Sequence, residues 1–139
     1  DHAPHTKEEK NNSYFKAPSG GPLVQHALVA MLDLVHDGLL PVEKVVDLMA
    51  HRVARLFRMA DRGFIRPGMK ADLVVVQPND PWTVHEDNVM SKCGWSPFQG
   101  HTFKSRVHET WVNGTQVWDG QRITTTHGHH VGERLTFAR

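Results

Sequence analysis

Apolar residues recur at helical spacing in two stretches of the first half of the chain. Between Pro22 and Gly38 they stand three or four residues apart, which predicts an amphipathic helix that starts near the proline and stops at the glycine. These positions are Leu23, His26, Ala27, Ala30, Met31, Leu34 and Val35. A second apolar stripe follows Pro41 and predicts one helix or two short ones. Its members are Val42, Val45, Val46, Met49, Val53 and Leu56.

The remaining stretches follow other patterns. Residues 1–21 are polar and rich in turn formers, which predicts a loop, and residues 81–104 are predicted to be mostly irregular. Residues 73–76, Leu-Val-Val-Val, predict a strand, and residues 107–118 alternate around Asn113-Gly114, a strong hairpin signal. One strand and one hairpin make a marginal sheet, because their three strands only just reach the number that a stable sheet with a buried face needs. We therefore expect further strands of a larger sandwich to lie elsewhere.

Composition narrows the class of protein. The length of 139 residues fits one domain, and 39% hydrophobic residues suffice for a globular core. Sixteen Lys and Arg residues nearly balance fifteen Asp and Glu residues, so neither a nucleic-acid nor a membrane partner is expected. The one cysteine, Cys93, is predicted to be a structural thiol in a reducing compartment. Because residues 1–19 are polar and no apolar run approaches about 20 residues, we expect a soluble cytoplasmic protein without a signal peptide.

Eleven histidines are the compositional oddity, and two of them stand in the opening stretch D-H-A-P-H. This stretch is either a flexible polar terminus or the cut edge of a larger protein, and the incomplete sheet favours the second interpretation. Several other histidines lack metal-ligand spacing and are predicted to be surface or core residues. They are His26, His36, His51, His85, His101 and His108, together with His2. The closing group His127, His129 and His130 is predicted to be a polar tail rather than a metal site.

Three stretches together resemble the C-terminal part of dihydroorotases, cyclic amidohydrolases of pyrimidine synthesis. They read "DHAPH…EEK", "GFIRPGMKADLVVV" and "SPFQG…VHETWVNGTQVW", and they cover the chain from Asp1 to about Arg122. The pattern G-x-I-x-x-G-x-x-A-D-L-V marks the amidohydrolase superfamily alone. D-H-A-P-H is more specific, because hydantoinase and allantoinase relatives keep the aspartate but as a rule lack a histidine four residues later.

The resemblance implies an α/β fold, namely a metal-dependent (β/α)8 barrel with a small β-sandwich. A barrel needs about 250 residues, so 139 residues cannot contain it. Residues 1–58 would be the C-terminal segment of the barrel, with the loop after its last strand and the closing helices. Residues 59–139 would be the C-terminal share of the sandwich and a tail. The family's His-x-His pair, its carboxylated lysine and its other metal-binding histidines would lie upstream.

The resemblance also assigns candidate site residues. Asp1 would ligate zinc, take a proton from the attacking water and pass it to the departing ring nitrogen. His5 would donate a hydrogen bond to the carboxylate of dihydroorotate. A glycine-rich loop would bring backbone amides to the pyrimidine ring. This loop comprises Pro18, Ser19, Gly20 and Gly21.

Two positions depart from the family pattern. This sequence has Gln25-His26 where the family often has Glu-Thr. For the glycine-rich loop before these residues, the resemblance therefore implies a role of the backbone only. Gln99 stands where glutamate is common, which weakens a side-chain role at that position.

The implied activity is the zinc-dependent, reversible hydrolysis of L-dihydroorotate to N-carbamoyl-L-aspartate, with a binuclear zinc site in the parent enzyme. This chain alone is predicted to be inactive, since one metal ligand cannot hold such a site. The expected partners are the rest of the same enzyme chain, a second subunit in a homodimer, and aspartate transcarbamoylase. Two alternatives stay open: a non-catalytic dihydroorotase-like scaffold subunit for aspartate transcarbamoylase, or a hydantoinase- or allantoinase-like enzyme, which His5 disfavours.

Overall fold

The computed structural model describes residues 1–125 and 131–138, with helices in the first half and strands in the second. The helices are α1 (Lys7–Lys10), α2 (Ala27–His36), α3 (Val42–Val46) and α4 (Arg52–Leu56), with a π-helical turn at Asp47–His51 and a 3-10 turn at Glu86–Asn88. The strands are β1 (Leu73–Gln77), β2 (Trp82–Thr83), β3 (Thr102–Phe103), β4 (Arg106–Val112) and β5 (Thr115–Trp118).

Helix α2 confirms the helix predicted between Pro22 and Gly38, but it begins later. The backbone N–H of Ala27 donates to the carbonyl of Leu23, so a turn separates the proline from the helix. At the other end Gly38 has a φ of 71°, and the N–H of Leu39 donates to the carbonyl of Leu34. This geometry is a Schellman motif, which favours glycine because its φ is positive.

The stripe after Pro41 forms one continuous helical run rather than two separate helices. Helices α3 and α4 are joined by the π-helical turn, which places Asp47 within 2.7 Å of the Nε of Arg52. Val45 and Ala54 are buried, but most of the predicted stripe is exposed. The exposed members are Val42, Val46, Met49, Val53 and Leu56. The periodicity therefore predicted the helix correctly, while the described residues do not cover its apolar face.

The prediction of a loop over residues 1–21 is wrong at α1. Thr6 and Glu9 form a capping box: the N–H of Glu9 donates to Thr6 Oγ1 at 3.2 Å, and the N–H of Thr6 donates to Glu9 Oε2 at 2.8 Å. These reciprocal bonds satisfy backbone donors at the start of a helix. They explain why a single helical turn forms in a polar segment without an apolar period.

Strands β1, β4 and β5 form an antiparallel sheet in that order. The turn between β4 and β5 lies at Asn113 and Gly114, with φ angles of 49° and 79°. Two positive φ angles are typical of the type I′ hairpin turn that Asn-Gly predicts. The described residues combine helices with antiparallel sheets, which confirms the α/β assignment in part, while the (β/α)8 barrel that the resemblance implies stays a prediction.

Asp72, the residue before β1, connects this strand to the hairpin turn. Its carboxylate accepts a hydrogen bond from the N–H of Asn113 at 2.8 Å and pairs with the guanidinium of Arg62, which is buried. The N–H of Gly114 also donates to the carbonyl of Ala71 at 3.0 Å. The Ala-Asp-Leu segment of the superfamily pattern therefore has a structural role in this chain.

The prediction that residues 81–104 are mostly irregular is confirmed, although a small antiparallel sheet of β2 and β3 lies within them. The buried residues Val84 and Phe103 pack with Val29 of α2 into a hydrophobic cluster, and Trp82 lies against it. This cluster draws on both sides of the predicted boundary between residues 58 and 59, which itself remains a prediction.

Strand β1 leaves apolar side chains exposed on both faces of the sheet. Leu73, Val74 and Val75 are 36%, 48% and 45% exposed. Successive residues of a strand point to opposite faces, so the described part of the chain covers neither face fully. In the same part of the chain, no helix is both long enough and apolar enough to cross a membrane.

Candidate functional site

The opening segment of the chain lies against the glycine-rich loop. The N–H of Ala3 donates to the carbonyl of Gly21 at 3.1 Å. Gly20 has a φ of 93°, and a Cβ added there would stand 2.5 Å from the Cβ of Ala3. Glycine is thus required at position 20 for its conformation and for the close approach. The structure brings together the segment that contains Asp1 and His5 and the loop predicted to contact substrate.

Trp95 contacts both of these segments. Its Nε1 donates to the carbonyl of His5 at 2.6 Å, and its ring lies 3.8 Å from the position of a Cβ on Gly21. Trp95 stands 90 residues from His5 in the sequence. No local sequence pattern indicates that Trp95 lies beside the candidate site.

Lys10 is the second residue whose position the sequence pattern does not reveal. Its ammonium donates to the carbonyl of Pro18 at 2.7 Å and to that of Gly20 at 3.0 Å. It also lies 6.0 Å from the centroid of the Trp95 ring, within the range of a cation–π contact. Lys10 belongs to the "EEK" of the first matched stretch, and that match is the only sequence signal that points to it.

The imidazole of His5 faces a carboxylate of this same chain. Its Nδ1 lies 3.6 Å from Oε2 of Glu9, and the His5 side chain is 33% exposed. The pKa of Glu9 is lowered, chiefly because the backbone N–H of Thr6 donates to the carboxylate, with a smaller contribution from His5. Nε2 of His5 has no hydrogen-bond partner among residues 1–125 and 131–138, so it is the ring nitrogen left for a ligand.

Asp1 is exposed, and its carboxylate has no hydrogen-bond or ion-pair partner in the part of the chain that the structure describes. An open depression of about 400 Å³ lies beside the residues that follow Asp1. It is lined by His2, Pro4, Thr6, Glu9, Ser91, Lys92 and Cys93. The predicted site residues do not line this depression. Those other than Asp1 and Ser19 instead accept hydrogen bonds from Ala3, Lys10 or Trp95 through their carbonyl oxygens.

A complete metal site is not formed by the described residues. Within them, no group of three or more His, Cys, Asp or Glu side chains is placed to hold a metal ion. A structural or catalytic zinc site takes at least three protein ligands, so these residues do not fit a zinc site by themselves. The unpartnered carboxylate of Asp1 could supply one ligand. His127, His129 and His130 lie outside the described residues.

Gln25 and His26, which depart from the family pattern, have structural roles. The side chain of Gln25 donates to the carbonyl of Asn88 at 2.8 Å and accepts from the N–H of Met90 at 2.9 Å. His26 is 1% exposed, and its Nδ1 lies 3.2 Å from Oγ of Ser96. Gln99 is exposed. Gln25 and His26 therefore hold the 81–104 segment against α2.

Comparison with known proteins agrees with the motifs. The amidohydrolase family profile matches residues 12–118, and the chain belongs to this family. Within it, several curated relatives similar to this chain are dihydroorotases. That of Halobacterium salinarum is 42% identical over 94% of this chain, and that of Clostridium acetobutylicum is 38% identical over 86%. That of Pyrococcus furiosus is 32% identical over 97%.

Similar solved structures are hydantoinases and dihydropyrimidinases. The D-hydantoinase (dihydropyrimidinase) of a Thermus species superimposes with a TM-score of 0.82 at 26% identity over 88% of this chain. The L-hydantoinase of Arthrobacter aurescens gives a TM-score of 0.80 at 27% identity, also over 88%.

The chain is much shorter than these proteins. It covers 31% of the length of the Halobacterium salinarum and Pyrococcus furiosus relatives and 28% of the Clostridium acetobutylicum relative. It covers 28% of the Thermus structure and 27% of the Arthrobacter structure.

Proposed function

We propose that this chain is the C-terminal part of a dihydroorotase, an enzyme that reversibly hydrolyses the cyclic amide of L-dihydroorotate to N-carbamoyl-L-aspartate. The observation that carries the proposal is the 42% identity to a dihydroorotase over 94% of the chain. The contact between Ala3 and Gly21 supports it, because it sets D-H-A-P-H beside the glycine-rich loop. In the whole enzyme, a (β/α)8 barrel would hold the rest of the site, and residues 59–139 would complete a sandwich.

Asp1 is proposed as the general base and as one ligand of a zinc site whose other ligands lie outside this chain. Zinc, when bound, supplies activation of water and polarisation of the amide carbonyl. The Asp1 carboxylate accepts a proton from the attacking water and delivers it to the ring nitrogen as the C–N bond breaks. We expect Asp1→Asn in the whole enzyme to lower kcat by about 10²–10⁴-fold, the range for loss of a general base. Stopped assays of N-carbamoyl-L-aspartate test this, and a kcat within twofold of wild type would contradict the role.

His5 is proposed to select the substrate through its carboxylate. Nδ1 of His5 lies 3.6 Å from Oε2 of Glu9, and Nε2 is left to donate a hydrogen bond to the substrate carboxylate. A hydrogen bond to a charged group such as a carboxylate is among the stronger ones in proteins. This arrangement favours dihydroorotate over cyclic amides that lack a carboxylate.

A substrate panel with His5→Ala in the whole enzyme tests this assignment. We expect kcat/KM for dihydroorotate to fall by at least about tenfold, since a hydrogen bond to a charged group contributes about 1.5–3 kcal/mol. The kcat/KM for dihydrouracil, which lacks the carboxylate, should change little. His2→Ala is the matched control, because His2 is a neighbouring exposed histidine that accepts from the N–H of Val24. An unchanged kcat/KM for dihydroorotate in His5→Ala would overturn the assignment.

A hydantoinase-like substrate is the second candidate, and the solved structures of hydantoinases at 26–27% identity favour it. The curated relatives are more similar in sequence, at 32–42% identity, and all three are dihydroorotases. Turnover of hydantoin in preference to dihydroorotate in the same panel would decide for this candidate. A non-catalytic scaffold would turn over neither compound.

The expected assembly and location belong to the same proposal. We propose a cytoplasmic homodimer, with aspartate transcarbamoylase as a partner. Light scattering of the whole enzyme after size-exclusion chromatography, with and without the transcarbamoylase, tests both contacts. A monomeric mass would overturn the homodimer, and two separate peaks would overturn the contact with the transcarbamoylase.

A further inference from the structure

Lys10 holds two peptide groups of the glycine-rich loop by their carbonyl oxygens. Its Nζ lies 2.7 Å from the oxygen of Pro18 and 3.0 Å from that of Gly20. The same two peptide groups carry the N–H of Ser19 and the N–H of Gly21. The described chain contains no cis peptide bond, so each N–H is antiparallel to the carbonyl that Lys10 binds. Both N–H groups therefore point away from the ammonium.

These two N–H groups are available to a ligand. In the part of the chain that the structure describes, neither the N–H of Ser19 nor that of Gly21 has a hydrogen-bond acceptor. A carbonyl bound to a cation polarises its peptide group, and hydrogen bonds in such a chain strengthen one another. The ammonium of Lys10 thus makes both N–H groups stronger donors and limits the orientations that the loop can adopt.

Lys10 also connects the loop to the segment that carries His5. Its ammonium lies 6.0 Å from the ring of Trp95, whose Nε1 donates to the carbonyl of His5 at 2.6 Å. The N–H of Ala3 binds the carbonyl of Gly21 from the other side. One lysine and one tryptophan therefore set the position of both segments that are proposed to contact substrate.

We infer that Lys10 is a positioning residue that orients and polarises the N–H groups of Ser19 and Gly21 as donors to the acceptor atoms of a cyclic amide ring. The inference rests on the proposed function, because the ring is the ligand of the same site. Lys10 itself contacts the loop and not the substrate. Donors that bind the ring equally in the ground state and the transition state lower KM without changing kcat.

The test is a series of Lys10 variants in the whole enzyme with dihydroorotate as substrate. Lys10→Met removes the ammonium, Lys10→Gln keeps a neutral donor, and Lys10→Arg keeps the charge. We expect KM to rise about tenfold in Lys10→Met, which corresponds to about 1.4 kcal/mol. It should rise less in Lys10→Gln and stay within about threefold of wild type in Lys10→Arg, with kcat within about twofold throughout.

Lys7→Met is the matched control, because Lys7 lies in the same helix and pairs with Glu86 rather than with the loop. Its KM should equal that of wild type. If Lys10→Met does not fold, the difference between Lys10→Gln and Lys10→Arg decides the question. A lower Tm with an unchanged KM in the Lys10 variants would overturn the inference, because it would show a role in stability alone.

A second readout separates this inference from the proposed activity. With ¹⁵N-labelled serine and glycine, the amide resonances of Ser19 and Gly21 should shift in Lys10→Gln more than that of Gly100, whose N–H donates to the carbonyl of Val84. No shift at Ser19 and Gly21 would overturn the polarisation. Absence of dihydroorotate turnover in the wild type, with these shifts present, would overturn the proposed substrate and leave the loop geometry supported.

Discussion

Individual residues at the candidate site are constrained by contacts that leave little space. Gly20 is the clearest case, since its φ of 93° and the 2.5 Å separation between its added Cβ and Ala3 each disfavour a side chain. Gly21, the next residue, has ordinary van der Waals space, with Trp95 at 3.8 Å. The two adjacent glycines therefore form a matched pair in which only the first is required.

Gly20→Ala should destabilise the protein by about 2 kcal/mol or more, because a left-handed conformation costs an alanine about 1–2 kcal/mol and the contact with Ala3 adds to it. Gly21→Ala should change stability by less than about 0.5 kcal/mol. Chemical denaturation of both variants measures the difference. Equal losses in the two variants would show that the approach of Ala3 does not constrain the loop.

His26 is a buried titratable residue in an aromatic environment. Its ring stacks on Trp82 and Phe103 at centroid distances of 5.8 and 5.7 Å, and burial lowers its pKa. Ser96 Oγ accepts from the N–H of Phe98 at 3.1 Å, which leaves its hydroxyl hydrogen to donate to Nδ1 of His26. Nε2 of His26 is buried without a hydrogen-bond partner in the described structure.

The lowered pKa of His26 predicts a dependence of stability on pH. Below about pH 6.5 the unfolded chain binds a proton at this histidine, while the folded protein does not until the pH falls below the lowered pKa. The free energy of unfolding should therefore fall, by at most about 1.4 kcal/mol per pH unit, as pH decreases from about 6.5, and His26 should add no slope above it.

Denaturation of wild type and His26→Phe across pH 5–8 tests this dependence. The phenylalanine keeps the stacking and removes the titration, so the difference in unfolding free energy between the two proteins should change below about pH 6.5 and be constant above it. A constant difference over the whole range would contradict the assignment to His26.

At the scale of elements, the sheet has a polar connection at the turn of its β4–β5 hairpin. Arg62 is 8% exposed along its side chain and pairs with Asp72, which also accepts from the N–H of Asn113. Asp80 makes a comparable pair with Arg106 at 2.7 Å, but both partners of that pair are about 40% exposed. Burial distinguishes the two pairs, because a buried charge that loses its partner stays desolvated.

Asp72→Ala should destabilise the protein by about 1.5–3 kcal/mol, the range for a hydrogen bond to a charged group, since the Arg62 guanidinium keeps only Asp61, 3.7 Å away, and the turn loses its acceptor. Asp80→Ala should lose less than about 1 kcal/mol, as is usual for exposed ion pairs. Thermal denaturation of the two variants compares them directly. A larger loss in Asp80→Ala would show that the hairpin does not depend on the buried pair.

The elements that were predicted correctly are those that residues within the element itself determine. The end of α2 follows from Gly38, and the β4–β5 hairpin follows from Asn113-Gly114, because both need positive φ angles. Strands β2 and β3 were not predicted, because their two-residue pairing, Trp82 with Phe103, joins positions far apart in the chain. The same reason explains why Lys10 and Trp95 were not predicted at the site, while the motif pointed to Asp1 and His5, whose roles stay predictions.

At the scale of the whole molecule, the described residues leave apolar surface uncovered and do not complete a metal site. The apolar stripe of α3 and α4 and the face of β1 are exposed, and no group of three metal ligands is present among those residues. The chain spans 27–31% of the length of the five relatives and structures named above. These observations agree with a site that is shared with further segments of a longer enzyme.

Purified residues 1–139 should therefore not hydrolyse dihydroorotate, with or without added zinc, since the residues that the structure describes bring no three metal ligands together. The whole enzyme under the same conditions is the positive control. Turnover by the 139 residues alone would contradict the shared site.

The most direct test of the central claim compares dihydroorotate with dihydrouracil as substrates of the whole enzyme. The two rings differ by the carboxylate that His5 is proposed to bind. We expect kcat/KM for dihydroorotate to exceed that for dihydrouracil by at least about a hundredfold, because a site built for a charged group is left with unpaired polar groups when that group is absent. Equal values, or a preference for dihydrouracil, would contradict the account and indicate a hydantoinase-like enzyme.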